Sequence, residues 1–171
     1  VYPQTLAAVL VLTSGIAVLR VERADDTSAR VGWAVLAGAA LSLLTLTVPN
    51  HGITLVVAAA WLVWRLRTKV VPVLAIVAVV FALPIGLWSL RNYSTFDAFV
   101  PVSSNGGLNL LLGNTDGAVA GTRVMVDISE VQDEAHRRGY DEVETDELMR
   151  DEAVRWITDD PVRAARLYAA K

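Results

Sequence analysis

The sequence predicts a mainly α protein: about four membrane-spanning helices, then a small extracytoplasmic region of loops and amphipathic helices. Three observations predict it. Apolar residues make up 54% of the 171 and charged residues 19%, against about 25% charged in an ordinary soluble domain. The apolar residues of the first half fall into four runs that contain no charged side chain. The charge is also divided. Residues 1–90 hold six Lys/Arg and three Asp/Glu, whereas residues 91–171 hold nine and fifteen. The expected organisation is therefore a membrane segment over 1–90 joined to an aqueous segment over 91–171.

The first run, Leu6 to Leu19, ends at Arg20 and predicts a helix over about 4–19. The second, Val31 to Val48, predicts a helix over 31–48 that stops at Pro49-Asn50-His51-Gly52. Its Gly32, Gly38 and Ala39-Ala40 form a small-residue face, the usual means of close helix approach in membranes. The third run, 53–65, is short for a bilayer that takes about 20 helical residues to cross. It reads as a crossing because Arg65, Arg67 and Lys69 need an aqueous face; a re-entrant arm is the alternative. The fourth run predicts a helix over 70–90. Pro72 sits in its first turn, where a missing N–H is harmless, and Pro84 should kink or open it.

Orientation follows from Lys and Arg, which concentrate in cytoplasmic loops. Arg20, Arg23 and Arg30 follow the first run, Arg65, Arg67 and Lys69 follow the third, and none lies between the second and third. With both basic loops cytoplasmic, residues 91–171 lie outside a cell (inner or plasma) membrane. Trp33, Trp64 and Trp88 fall near helix ends, as interfacial indoles do, and Trp61 reads as helix packing.

The aqueous half opens with an expected loop system over 91–122 holding short extended pieces. Asn105-Gly106-Gly107 is a turn signal, since Gly tolerates φ > 0. With Gly113-Asn114-Thr115-Asp116-Gly117 it could offer backbone N–H groups and amides to a phosphate or sugar; by spacing alone, ordinary turn chemistry fits equally well. Ser129 and Gln132 read as a capping box with Gly139 as the stop. A second helix is expected over 145–158, with Met149, Ala153, Trp156 and Ile157 on one face. Asp160-Pro161 starts a third, with Val162, Ala165, Leu167 and Tyr168 on its face and Arg163, Arg166 and Lys171 alongside. Such a helix lies on a membrane surface or packs on its own domain. The run Asp141 to Glu147 reads as a solvated helix start; its oxygens could otherwise hold a divalent cation, the one cofactor the sequence suggests.

Several chemistries are excluded or unsupported. With no cysteine there is no disulfide, thiolate nucleophile or Cys-ligated metal. His51 and His136 form no ligand motif, so no residue is assigned to a metal. No basic face marks nucleic-acid binding. The chain opens on Val1 close to an apolar run, without a basic leader, and reads as an internal piece of a longer membrane protein.

The stretch Trp88-Ser89-Leu90-Arg91-Asn92-Tyr93-Ser94-Thr95-Phe96, followed by Pro101-Val102-Ser103-Ser104-Asn105-Gly106-Gly107-Leu108-Asn109 and Gly113-Asn114, resembles bacterial polyprenyl-phosphate-dependent glycosyltransferases of the GT-C superfamily. These are the family 39, or dolichyl-phosphate-mannose protein mannosyltransferase-like, enzymes. The segment from Asp151 to Asp160-Pro161 resembles their A-x-x-W-I-x-x-x-P stretch. The second and third runs resemble the helices around their T-R-P turn, although Val48 stands where the family has Arg; Asn50 or His51 would have to substitute.

The resemblance implies part of a GT-C fold and an inverting transfer in the cell envelope. A sugar leaves a polyprenyl-phosphate donor for a sugar, lipid or protein acceptor on the outer face. It places the general base upstream, so no catalytic residue is expected in this chain and the chain alone is expected to be inactive. Substrate-contacting residues would be Arg91, Asn92, Tyr93, Asn105, Gly106, Gly107, Asn109 and Asn114. The lipid bilayer is the other expected partner. The competing class is a non-enzymatic membrane protein, a transporter piece or an envelope scaffold subunit. Transporters favour charged residues inside helices, which these runs lack.

Overall fold

The computed structural model describes residues 3–118 and 126–170, with the backbone alone of Lys69. The expected contributions of residues 1–2, 119–125 and Lys171 lie outside the described residues. The described residues are mainly α and include no strand. They form two compact units, one ending at Val102 and the other beginning at Ser103.

In the first unit, α1 spans Pro3–Arg23 and α2 Thr27–Thr47. The α2 N-cap is Asp26, whose carboxylate accepts from Ala29 N at 2.9 Å. This cap starts the helix four residues before the apolar run does. The helix ends at Val48, extended before Pro49, because a residue preceding proline disfavours helical angles. A 3-10 turn over Pro49–Gly52 leads into α3, Ile53–Leu66. A second 3-10 turn, Arg67–Lys69, leads into α4, Val70–Phe96. At 1.5 Å per residue α3 is about 21 Å long, short of a hydrocarbon core of about 30 Å. Among the described residues three helices rather than four, α1, α2 and α4, are thus long and apolar enough to cross a membrane. By length and composition they describe a multi-pass membrane protein.

The core of this unit gathers around α2. Ala34, Ala37 and Leu41 are buried with Ala17 and Val21 of α1, Leu62 of α3, and Val73 and Val77 of α4. Gly38 is the point of closest approach. A Cβ there would lie 2.9 Å from the Val77 carbonyl oxygen and from the Val80 Cβ. Gly32 does not share this role: it is exposed, with open space where a Cβ would be. Helix α4 continues through Pro84 without a break.

In the second unit, α5 spans Gly106–Gly113, α6 Ser129–Arg138, α7 Glu142–Asp159 and α8 Pro161–Ala170. Leu111 of α5 packs with Met149 and Ala153 of α7, and Ile128 and Val131 close over them. Gly139 ends α6 at φ 70°, a left-handed position that Gly adopts without steric cost. The expected Ser129–Gln132 capping box does not form. Ser129 lies inside the helix, the N-cap is Ile128, and Asp127 accepts from Ser129 N at 2.9 Å instead. The capping box belongs to α7, where Asp141 accepts from Val143 N and Glu144 N and the Glu144 carboxylate accepts from Asp141 N. Asp160 accepts from Arg163 N at the start of α8. The buried residue of α8 is Ala164, while Val162 and Tyr168 are exposed, so the core-facing stripe is not the one its apolar residues suggest.

Candidate functional site

The end of α4 is built by the Trp88-Ser89-x-x-Asn92 spacing. Three side chains within about one helical turn each hold a carbonyl of the returning chain. Trp88 Nε1 donates to Val102 O at 3.0 Å, Ser89 Oγ to Pro101 O at 3.0 Å, and Asn92 Nδ2 to Val100 O at 2.9 Å. Asn92 and Val100 are both buried. Asn92 thus has a structural partner that needs no substrate. Helix α4 also runs past Leu90 to Phe96, so residues 91–96 are helical rather than the start of a loop system. Ser94 and Thr95 fold back on the Arg91 carbonyl, and Asp97, at φ 49°, ends the run.

Arg91 and Tyr93 remain exposed on this end. The Arg91 guanidinium lies 5.5 Å from the Trp88 ring centroid and donates to Asn92 Oδ1 at 3.2 Å. The indole and amide hold the cation at the helix terminus. Stacking of this kind contributes about 0.5–1 kcal/mol at exposed sites. Asn50 is exposed and His51 half-buried in the turn after α2.

In the second unit the Asn105-Gly106-Gly107 signal starts helix α5 instead of making a turn between extended pieces. Neither Gly106 nor Gly107 has a positive φ. The Asn105 side chain makes no cap hydrogen bond. Asp146 of α7 supplies that cap from 38 residues away: its Oδ1 accepts from Leu108 N at 3.0 Å, and its Oδ2 lies 3.4 Å from Arg150 Nη2. A carboxylate at a helix N-terminus is favoured by both the unpaired N–H groups and the helix dipole. The approach is close, since a Cβ on Gly107 would lie 1.8 Å from the Asp146 carbonyl oxygen. Gly107 is therefore needed for backbone contact, and the anion that a phosphate cradle would receive is already present as Asp146.

Around this junction lies an open cleft of about 390 Å³, lined by Ser104, Asn105, Tyr140, Asp141, Thr145 and Asp146 among others. The lining mixes these polar groups with Leu108 and Met149, and its carboxylates, Asp141 and Asp146, are engaged in helix caps and disfavour an anion. The Arg138 guanidinium beside it is held above its ordinary pKa first by the Tyr140 hydroxyl and then by Glu134.

Asn114, expected as a substrate contact, is buried. It donates to Leu110 O at 2.8 Å and accepts from the Tyr168 hydroxyl at 2.8 Å, tying α5 to α8. Asn109 is exposed on α5, and its side chain has no hydrogen bond among the described residues. Asp116, with no place in the expected contact set, joins Trp156 and Arg163. Its Oδ1 accepts from Trp156 Nε1 at 2.8 Å and from Arg163 Nη1 at 3.2 Å, with the guanidinium 4.2 Å from the indole centroid. No local pattern announces this link, because its partners lie 40 and 47 residues away. Among the described residues no group of three or more metal-ligating side chains gathers; in the acidic run, Asp141 and Glu144 serve the α7 cap.

No family model matches the chain, and neither a curated protein nor a solved structure matches it significantly.

Proposed function

We propose that this chain is a portion of an integral-membrane glycosyltransferase that takes a sugar from a polyprenyl-phosphate donor and passes it to an acceptor on the outer face. The observation that carries the reading is the end of α4. A membrane-length apolar helix terminates in an exposed Arg91 held over Trp88, within a stretch resembling the GT-C loop motif. In that role Arg91 offsets the negative charge that grows on the departing lipid phosphate. Asn105 and the open cleft bind hydroxyls of the sugar or acceptor, with Asn109 a further exposed amide. The general base, needed to take the acceptor proton, comes from a part of the protein upstream of this chain.

One observation favours the second reading, a non-enzymatic membrane scaffold. Asp146 occupies the α5 N-terminus, and Asn92 and Asn114 are engaged in internal hydrogen bonds. Two of the expected contacts, Asn92 and Asn114, then have structural partners within the chain.

The deciding experiment supplies the full-length protein, and separately this chain alone, with a radiolabelled polyprenyl-phosphate sugar and an envelope acceptor fraction. The enzyme reading expects transfer by the full-length protein and none by the chain alone. No transfer by either, with both folded, favours the scaffold. Transfer by the chain alone contradicts an upstream base and turns attention to Asp97, Asp116 and Asp127.

A further inference from the structure

The membrane unit carries a pocket at its basic end, away from the α4 terminus. Its volume is about 320 Å³, and it lies between the first turns of α2 and α4 and the turn that precedes α4. Thr27, Arg30 and Thr68 line one part, and Val31, Val73 and Ile76 another. Arg30 has no carboxylate partner among the described residues. Its Nη2 donates to the Ala24 carbonyl, while its Nε is buried without a hydrogen-bond partner. An unsatisfied buried donor on a cation is costly. Arg30 itself lines the pocket, where an anionic oxygen would give its guanidinium a charged partner.

The geometry points to an anionic phospholipid as the occupant: its phosphate on Arg30, Thr27 and Thr68, and the start of one acyl chain on Val31, Val73 and Ile76. Two features select a lipid over a free phosphate. The pocket belongs to helices of membrane-spanning length and apolarity, so lipid is the surrounding solvent. Its apolar part also gives an inorganic anion nothing to contact. Charge complementarity supplies the sign: the two basic stretches hold six cations, Arg20, Arg23, Arg30, Arg65, Arg67 and Lys69, against three carboxylates, Glu22, Asp25 and Asp26. Basic pockets between membrane helices hold anionic head groups in this way. The assignment is independent of the glycosyltransferase reading.

The test is lipid binding by the purified chain in a non-ionic detergent, followed by native mass spectrometry during titration with dioleoylphosphatidylglycerol, dioleoylphosphatidylcholine or inorganic phosphate. The expected result is retention of phosphatidylglycerol at least tenfold tighter than phosphatidylcholine, with no competition from millimolar phosphate. Arg30→Gln should weaken phosphatidylglycerol about tenfold or more, the loss of one charge-assisted contact, and Arg23→Gln less than twofold. If Arg30→Gln does not fold, the Thr27→Val, Thr68→Val double variant carries the test with an expected loss of about threefold or more. Equal affinity for the two lipids, equal weakening by Arg23→Gln, or displacement by inorganic phosphate would overturn the proposal.

Discussion

Arg65 reaches Glu22 across 43 residues of chain: Nε donates to Oε1 at 2.8 Å, and Nη2 donates to the same oxygen. The guanidinium also lies over the rings of Trp61 and Trp64, themselves edge to face at 5.2 Å. Trp61 is thus part of an end cluster as well as a packing residue. A surface pair contributes little to stability, so its significance is positional. It fixes the last turn of α3 beside the last turn of α1. The basic stretch after α3 therefore shares an end with the basic stretch after α1, as the loop charges suggest, even though α3 is short for a crossing.

The first prediction follows from that pairing. Single cysteines at Asp25 and Thr68 should react with an impermeant thiol reagent from the same side of the membrane, the inner side by the loop charges. A cysteine at Thr115 should react from the opposite side. Labelling of positions 25 and 68 from different sides would contradict α3 as the returning element.

Gly38 tests the packing of α2 on α4. Gly38→Ala places a methyl group 2.9 Å from the Val77 oxygen and the Val80 Cβ. Overpacking of this kind costs about 1–3 kcal/mol, and the melting temperature of the purified protein in detergent should fall. Gly32→Ala, with open space at that position, should leave it within error of wild type.

Adjacent glycines at the start of α5 should respond in opposite senses. A Cβ on Gly106 comes no nearer than 3.9 Å to Asp146 Oδ2, whereas one on Gly107 collides with the Asp146 backbone. Alanine favours a helix over glycine by up to about 1 kcal/mol, so Gly106→Ala should hold or raise stability. Gly107→Ala should lower it by about 1–3 kcal/mol or more. Chemical denaturation followed by circular dichroism checks the pair, and equal effects would contradict the close approach of α5 and α7.

These sites show how far the sequence could be read. The apolar runs are legible because a helix in lipid needs about 20 apolar residues, and α1, α2 and α4 follow them. Reading stops where the partner is distant. Asn105-Gly106-Gly107 looks like a turn because the anion that starts α5 is Asp146, on another helix. Asn114 looks like a free loop amide because Tyr168 lies 54 residues on. By charge the apolar run of α4 ends at Arg91, yet Asn92 gains a buried carbonyl partner and Thr95 returns its hydroxyl to the helix. Ser129–Gln132 satisfies the capping pattern as well as Asp141–Glu144 does. Spacing alone does not separate the two.

Asn92→Ala should free the segment over 100–102 by leaving the buried Val100 carbonyl without its donor. The cost is about 1–3 kcal/mol, and limited proteolysis should cut between residues 97 and 104 faster than in wild type. Unchanged cleavage would show that Trp88 and Ser89 hold the segment by themselves.

Sugar transfer per folded molecule, compared between the full-length wild-type protein and its Arg91→Gln and Asn109→Ala variants, tests the central claim most directly. Asn109→Ala should fold within about 0.5 kcal/mol of wild type, and Arg91→Gln, which loses its stacking on Trp88, should cost about 0.5–1 kcal/mol, so transfer is read per folded molecule. A contact to a charged or developing-charge group contributes about 1.5–3 kcal/mol, so each loss should slow transfer roughly ten- to hundredfold, with Arg91→Gln the larger. Folded variants that both transfer at the wild-type rate would contradict the assignment of Arg91 and of Asn109 as substrate contacts of a glycosyltransferase.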